Sequence, residues 1–170
     1  LQDAARPRGG LFDDAHRALG ASVMEWLATP APGANDGHAG ASAAGAASLP
    51  AVGAEPATAA DAACRDWVRR QGAAGYLRYC VPAAWGGALE TMESRSLCVL
   101  REALAALDAL ADFAFAMQGL GSGAITLGGT DALRGTWLPR VARGEAIAAF
   151  ALSEPDAGSD AAALQTRAVR

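Results

Sequence analysis

Large apolar residues recur along the chain at intervals of three or four, the spacing that keeps side chains on one face of an α-helix. Between residues 11 and 27 the positions Phe12, Ala15, Leu19, Val23 and Trp26 make such a stripe, with Asp13 and Asp14 in the first turn, where they complement the helix dipole. Ala63, Cys64, Trp67 and Val68 mark a second, shorter helix that Gly72 and Gly75 close. Thr91 is the expected cap of a third helix, whose apolar face is Leu97, Leu100, Leu104 and Leu107 and whose polar face carries Glu93, Arg101 and Asp108. From about Leu110 the pattern becomes apolar on most sides through Phe113, Phe115, Met117, Leu120, Ile125 and Leu127, as expected of a central helix packed by its neighbours. Gly128-Gly129 ends it, and Thr130 opens a further amphipathic helix through Leu133, Trp137, Leu138 and Val141, which Pro139 should shorten or kink.

Two stretches break the helical period. Residues 76–90, with Pro82, Gly86-Gly87 and the aromatic anchors Tyr76, Tyr79 and Trp85, read as a loop joining two helices. Ile147 to Leu152 form a short continuous apolar run after the Gly144-Glu145 turn, which predicts a strand. The expected fold is therefore mainly α: an amino-terminal helix over 1–28, a linker or insertion over 29–60, a helical domain over 61–146, and over 147–170 the first strand of a truncated β domain.

Composition changes this picture in one place. Hydrophobic residues make up 52% of the chain, but many are alanine, so the core is smaller than that figure suggests. Residues 28–59 are rich in Ala, Gly, Pro and Ser and nearly free of large side chains, too little apolar surface to offset the entropy of ordering them. A net charge of −4 with no basic block argues against a nucleic-acid groove. The 3 cysteines, Cys64, Cys80 and Cys98, form no CxxC pair, and His16 and His38 lack metal-ligand spacing; the former falls near the polar side of the first helix and the latter in the linker, both expected to be solvated. No metal site is expected. With no apolar run long enough to span a bilayer and no signal-peptide layout, the expectation is a cytoplasmic protein without membrane insertion. Gly119, Gly121 and Gly123 imitate a nucleotide loop, but no strand precedes them, and they read as close helix packing.

The segment richest in chemistry is Ala151-Leu152-Ser153-Glu154-Pro155-Asp156-Ala157-Gly158-Ser159-Asp160. Its small residues expose backbone N–H groups that could cradle a phosphate. The same residues also describe an ordinary strand-to-turn connection bent by Pro155 and Gly158, in which Ser159 or Asp160 bonds its own backbone. Asp156 and Asp160 are unfavourable for an anion unless turned away.

This segment resembles the signature of the acyl-CoA dehydrogenase family at every defining position. Upstream landmarks of that family occur in order as Pro82 to Gly87, Glu102, Gly129-Thr130, Leu138-Pro139 and Gly144-Glu145, so the resemblance covers about 61–168. It implies an FAD-dependent oxidoreductase that oxidises an acyl-CoA or acyl-carrier thioester at its α and β carbons, homo-oligomeric at full length and passing electrons to an acceptor protein. It also implies that Leu152 and Ser153 face the polar edge of the isoalloxazine, and that Gly158 and Ser159 contact the pyrophosphate. The family's catalytic base belongs to a carboxy-terminal domain, so no catalytic residue is expected here, the chain alone should be inactive, and Glu154 is expected to position the loop. A non-catalytic helical interaction domain or remnant, and a flavin monooxygenase on the same fold, are the competing readings.

Overall fold

The computed structural model describes residues 9–29, 58–167 and 169. Most of the expected linker, and His38 with it, lies outside the described residues. Among those described are five α-helices: α1 (Asp14–Ala28), α2 (Ala59–Ala73), α3 (Ser94–Leu107), α4 (Ala109–Gly128) and α5 (Asp131–Ala142).

Each helix starts where its sequence supplies a side chain for the unpaired N–H groups of the first turn. Asp13 accepts from the N–H groups of Ala15 and His16, at 3.0 and 3.2 Å. Thr58 and Asp61 form a reciprocal capping box at the start of α2, and Thr130 caps α5 as its sequence predicts. The cap of α3 is Glu93, not Thr91: its side chain reaches the Ser96 N–H at 2.9 Å, so the helix starts at Ser94, two residues later than a Thr91 cap would place it. Asp108 ends α3 and begins α4. One of its oxygens accepts from Leu110 N–H at 2.8 Å and the other from the Trp67 indole at 3.0 Å, which ties this junction to α2.

The helices pack around α4, which meets α2, α3 and α5, while α1 lies against α3. Leu77, Leu100, Leu104, Phe115 and Leu138 are the largest apolar side chains that are fully buried, each contributing roughly 1.5–3 kcal/mol relative to an exposed position. The 76–90 connection is less open than a loop. It winds into two 3₁₀ turns, Tyr76–Cys80 and Ala83–Trp85, and buries Tyr76, Leu77, Cys80 and Val81 against α2, α4 and α5. Gly86, at φ 92°, makes the sharp reversal, and Gly87 lies so close to Val81 that any side chain would overlap the Val81 carbonyl.

Four expectations are corrected. Pro139 does not cut α5 short, since the helix continues to Ala142 and the Pro139 carbonyl still accepts from Arg143 N–H at 3.3 Å. On α3 the buried face is Val99, Leu100, Ala103 and Leu104, with Leu107 exposed. Helix α4 is packed by α2, α3 and α5 but is not covered all round: one stripe stays open, and Phe113, Leu120 and Leu127 stand exposed on it among the described residues. Finally, Ile147 to Leu152 do not form a strand. A strand exists by pairing with another backbone, and among the described residues no backbone-to-backbone hydrogen bond is made by this run.

Candidate functional site

The loop from Ala151 to Asp160 is organised by Glu154. Its backbone closes a tight reversal with Ala157, through Glu154 N–H to the Ala157 carbonyl at 2.7 Å and the reciprocal bond at 3.2 Å. Its carboxylate turns the other way and accepts from the N–H groups of Gln165 and Thr166, both at 2.8 Å. The Thr166 side chain foremost, and then these two backbone bonds, favour the ionised form and hold the carboxyl below its ordinary range. Glu154 thus pins both ends of the loop, which is a positioning arrangement.

The four residues expected to meet the cofactor flank this reversal, Leu152 and Ser153 before it and Gly158 and Ser159 after it. Leu152 is 40% exposed, and Ser153, Gly158 and Ser159 are exposed. Among the described residues, the N–H groups of Gly158 and Ser159 and the hydroxyls of Ser153 and Ser159 have no partner. A Cβ on Gly158 would meet nothing within 4 Å, and its φ is not left-handed, so the chain's own packing gives no reason for glycine. Asp160 is turned into the backbone, accepting from Ala162 N–H at 3.1 Å at the start of the Ala161–Ala163 turn.

Beside the loop's entry runs a cleft of about 300 Å³ between α2 and α4. Phe113, Met117, Ile147 and Phe150 give it apolar walls, and Asp61 and Arg65 stand at its edge. The segment that forms one wall is also the run expected to be a strand.

Sequence reasoning missed a polar row inside α4. Gln118, Ser122 and Thr126 recur at helical spacing in an otherwise apolar helix, which was the available signal. Gln118 and Ser122 are fully buried. The Ser122 hydroxyl donates to the carbonyl of Gln118, at 2.6 Å, and stands 3.0 Å from that of Cys80. The Gln118 amide donates to the Ala146 carbonyl at 3.0 Å and accepts from Ala148 N–H at 2.6 Å.

His16 also departs from expectation. It is 5% exposed rather than solvated, its Nδ1 2.6 Å from Asp13 and its Nε2 2.9 Å from Glu93. Glu93 raises its affinity for a proton most, with Asp13 adding to the effect. Glu93 itself, bonded by Ser96, His16 and Arg95, is held down to about 2. This cluster joins α1 to α3 and lies on other elements than the loop.

Among the described residues no group of histidine, cysteine and acidic side chains could hold a metal, and no helix is long and apolar enough to cross a membrane. Residues 41–145 match the family model for the acyl-CoA dehydrogenase N-terminal domain. The probable acyl-CoA dehydrogenase fadE25 of Mycobacterium leprae is 38% identical over 96 residues, which cover 56% of this chain and 24% of the relative. The Mycobacterium tuberculosis protein of the same name is 37% identical over 94 residues, 55% of this chain and 24% of its own length. The human mitochondrial very long-chain specific acyl-CoA dehydrogenase is 50% identical over 54 residues, 32% of this chain and 8% of the relative. The chain spans about a quarter of the length of the mycobacterial relatives.

Proposed function

Because the chain belongs to the acyl-CoA dehydrogenase family, we propose that it forms the helical part and flavin-contacting loop of an FAD-dependent oxidoreductase that desaturates an acyl thioester. The observation that carries the proposal is the loop itself: hydrogen-bonding groups of Ser153, Gly158 and Ser159 exposed together, with Gly158 opening on free space.

These residues fit the cofactor. Gly158 and Ser159 would hold the pyrophosphate through backbone N–H and hydroxyl groups, and the absent side chain at Gly158 permits close approach. Leu152 and Ser153 would face the polar edge of the isoalloxazine. Bound there, FAD supplies the acceptor for the hydride leaving the thioester's β carbon. A hydroxyl at Ser153 favours negative charge on that edge, and Glu154 keeps the loop in shape without touching substrate. The proton at the α carbon falls to a carboxylate outside this chain. The acyl portion fits the apolar cleft between Phe113, Met117, Ile147 and Phe150, and a cytoplasmic location suits the reading.

The test combines the 170-residue chain with the remaining domains of the Mycobacterium leprae relative, adds FAD, and removes free cofactor by gel filtration. Flavin absorbance should stay with the protein, bleach on anaerobic addition of an acyl-CoA, and be lost in Gly158→Val. A mixture that is helical by circular dichroism and yet colourless refutes the reading. The exposed apolar side chains of α4 and α5, including Leu120, Leu127 and Trp137, favour one alternative, a non-catalytic docking module. Assembly with the supplied domains without flavin retention would establish it.

A further inference from the structure

Gln118 is wholly buried, yet its carboxamide contacts no other side chain's polar group. Its bonds go to the carbonyl of Ala146 and the N–H of Ala148, the two backbone groups flanking Ile147. A residue in a parallel pair of strands makes the same two bonds, its own N–H and C=O reaching one to each side of a single facing residue. The side chain of Gln118 therefore reproduces half a rung of sheet pairing from within a helix.

The neighbouring positions on α4 serve the same contact. One turn on, an added Cβ at Gly121 would lie 2.8 Å from the Cβ of Ala148 and from the backbone N and O of Ala149, so glycine is what lets the segment lie this close. Ser122 bonds back to the Gln118 carbonyl and packs that part of α4 against the Cys80 carbonyl, 3.0 Å from its hydroxyl, so Gln118 stands on a closely packed stretch of helix.

We propose that Gln118 is a positioning residue that sets the register of residues 146–149 in place of a strand partner, and so decides where Leu152 and Ser153 are presented. The link to the flavin rests on the function proposed above. Register is decisive because an extended chain advances about 3.3 Å per residue. A slip of one residue would carry the Ser153 hydroxyl farther than a hydrogen bond can span. Residues 147–150 also wall the cleft, so the same amide orders both the cleft and the loop's entry.

The experiment measures hydrogen exchange at the Ala148 amide in the 170-residue chain, as protection factors so that intrinsic pH effects cancel. Gln118→Met keeps the volume and removes both bonds, and protection at Ala148 should fall about tenfold or more while Leu100 and Leu104 in α3 stay protected. Gln118→Glu separates pairing from packing. Burial raises a carboxyl's pKa; protonated, at about pH 5, it can donate to Ala146 and accept from Ala148, whereas ionised, at about pH 8, it sets an oxygen and a buried charge against the Ala146 carbonyl and forces the segment away. Protection in Gln118→Glu should approach the wild-type level at the lower pH and collapse at the higher, with wild type unchanged between them.

Unaltered Ala148 exchange in Gln118→Met, or a Gln118→Glu profile without pH dependence, overturns the proposal. With the supplied domains and FAD, Gln118→Met should shift the flavin absorbance band or lower FAD retention. Loss of Ala148 protection with an unchanged flavin band also overturns it. A colourless wild-type mixture refutes the flavin reading alone, and the exchange experiment then still decides whether Gln118 sets the register.

Discussion

Glu93 does two jobs that a pair of substitutions can separate. It caps α3, accepting from the Ser96 N–H at 2.9 Å and its hydroxyl at 2.6 Å, and it receives the Nε2 of buried His16 at 2.9 Å. Glu93→Ala removes both. Loss of the cap costs about 1 kcal/mol, and stranding a buried imidazole costs about 1–3 kcal/mol, so the variant should lose about 2–4 kcal/mol. At about 4 °C per kcal/mol for a domain of this size, the melting midpoint should fall roughly 8–16 °C. Glu93→Gln keeps an acceptor for the cap and removes the charge. The pH dependence follows from the two titrations. His16 has its pKa raised above 6.5 in the fold, so its contribution is complete below pH 6.5 and is lost as pH rises through the raised value. Glu93 is lowered from 4.5 to about 2, so its contribution is complete above pH 4.5 and is lost as pH falls toward about 2. Asp13 and Arg95 also face the cluster and remain in both variants. Melting followed by circular dichroism across these ranges should show wild type losing stability above pH 6.5, and Glu93→Gln losing much less there. Equal slopes for the two proteins would mean that the His16 to Glu93 contact contributes nothing to stability.

Glu154→Gln should loosen the 153–166 loop, read as faster proteolysis there, and in wild type the same loosening should set in only as pH falls below the ordinary carboxyl range, because the folded pKa is lowered. Gly158→Ala should leave the melting midpoint within the error expected of about 0.5 kcal/mol and still weaken FAD retention; a stability loss with unchanged retention would make that glycine structural. Gly72→Ala should destabilise by about 1–3 kcal/mol or more, since its Cβ would overlap the Arg143 carbonyl, and denaturant unfolding would check it. Ser153→Ala should slow single-turnover flavin reduction in the assembled protein, and an unchanged rate would remove Ser153 from the chemistry.

How much of this was legible in the sequence depended on whether a feature was local. Helix positions follow from apolar spacing and caps, which involve residues a few positions apart, and α1, α2, α4 and α5 begin within a few residues of where Asp13, Asp61, Leu110 and Thr130 place them. The signature loop was visible as a motif, and its internal clamp through Glu154 agrees with the role expected of that residue. Contacts across long separations were not visible. His16 and Glu93 lie 77 positions apart, so the pattern that assigned His16 to solvent could not contain its partner. The strand expected over Ile147 to Leu152 failed for the related reason that an apolar run states a preference for burial and says nothing about what pairs with it. That run is in fact mostly exposed, with Ala148 half-buried, and its one regular pairing comes from a side chain on α4.

The cysteines sit at three depths, which makes the chain its own clock for conformational opening. Cys98 is exposed and Cys64 half-buried, whereas Cys80 is wholly enclosed beneath α4, and burial pushes its thiol up to about 12. A thiol reagent attacks the thiolate, so Cys80 in the closed fold has neither the access nor the ionisation to react. Its labelling rate measures how often the Tyr76–Cys80 turn lifts from α4, and therefore the free energy of the opening that exposes it. Labelling of Cys98 in the same sample fixes the intrinsic rate, and Cys64 reports events at the α2 surface, so three reactions followed together would chart how stability is distributed through the helices without adding any probe.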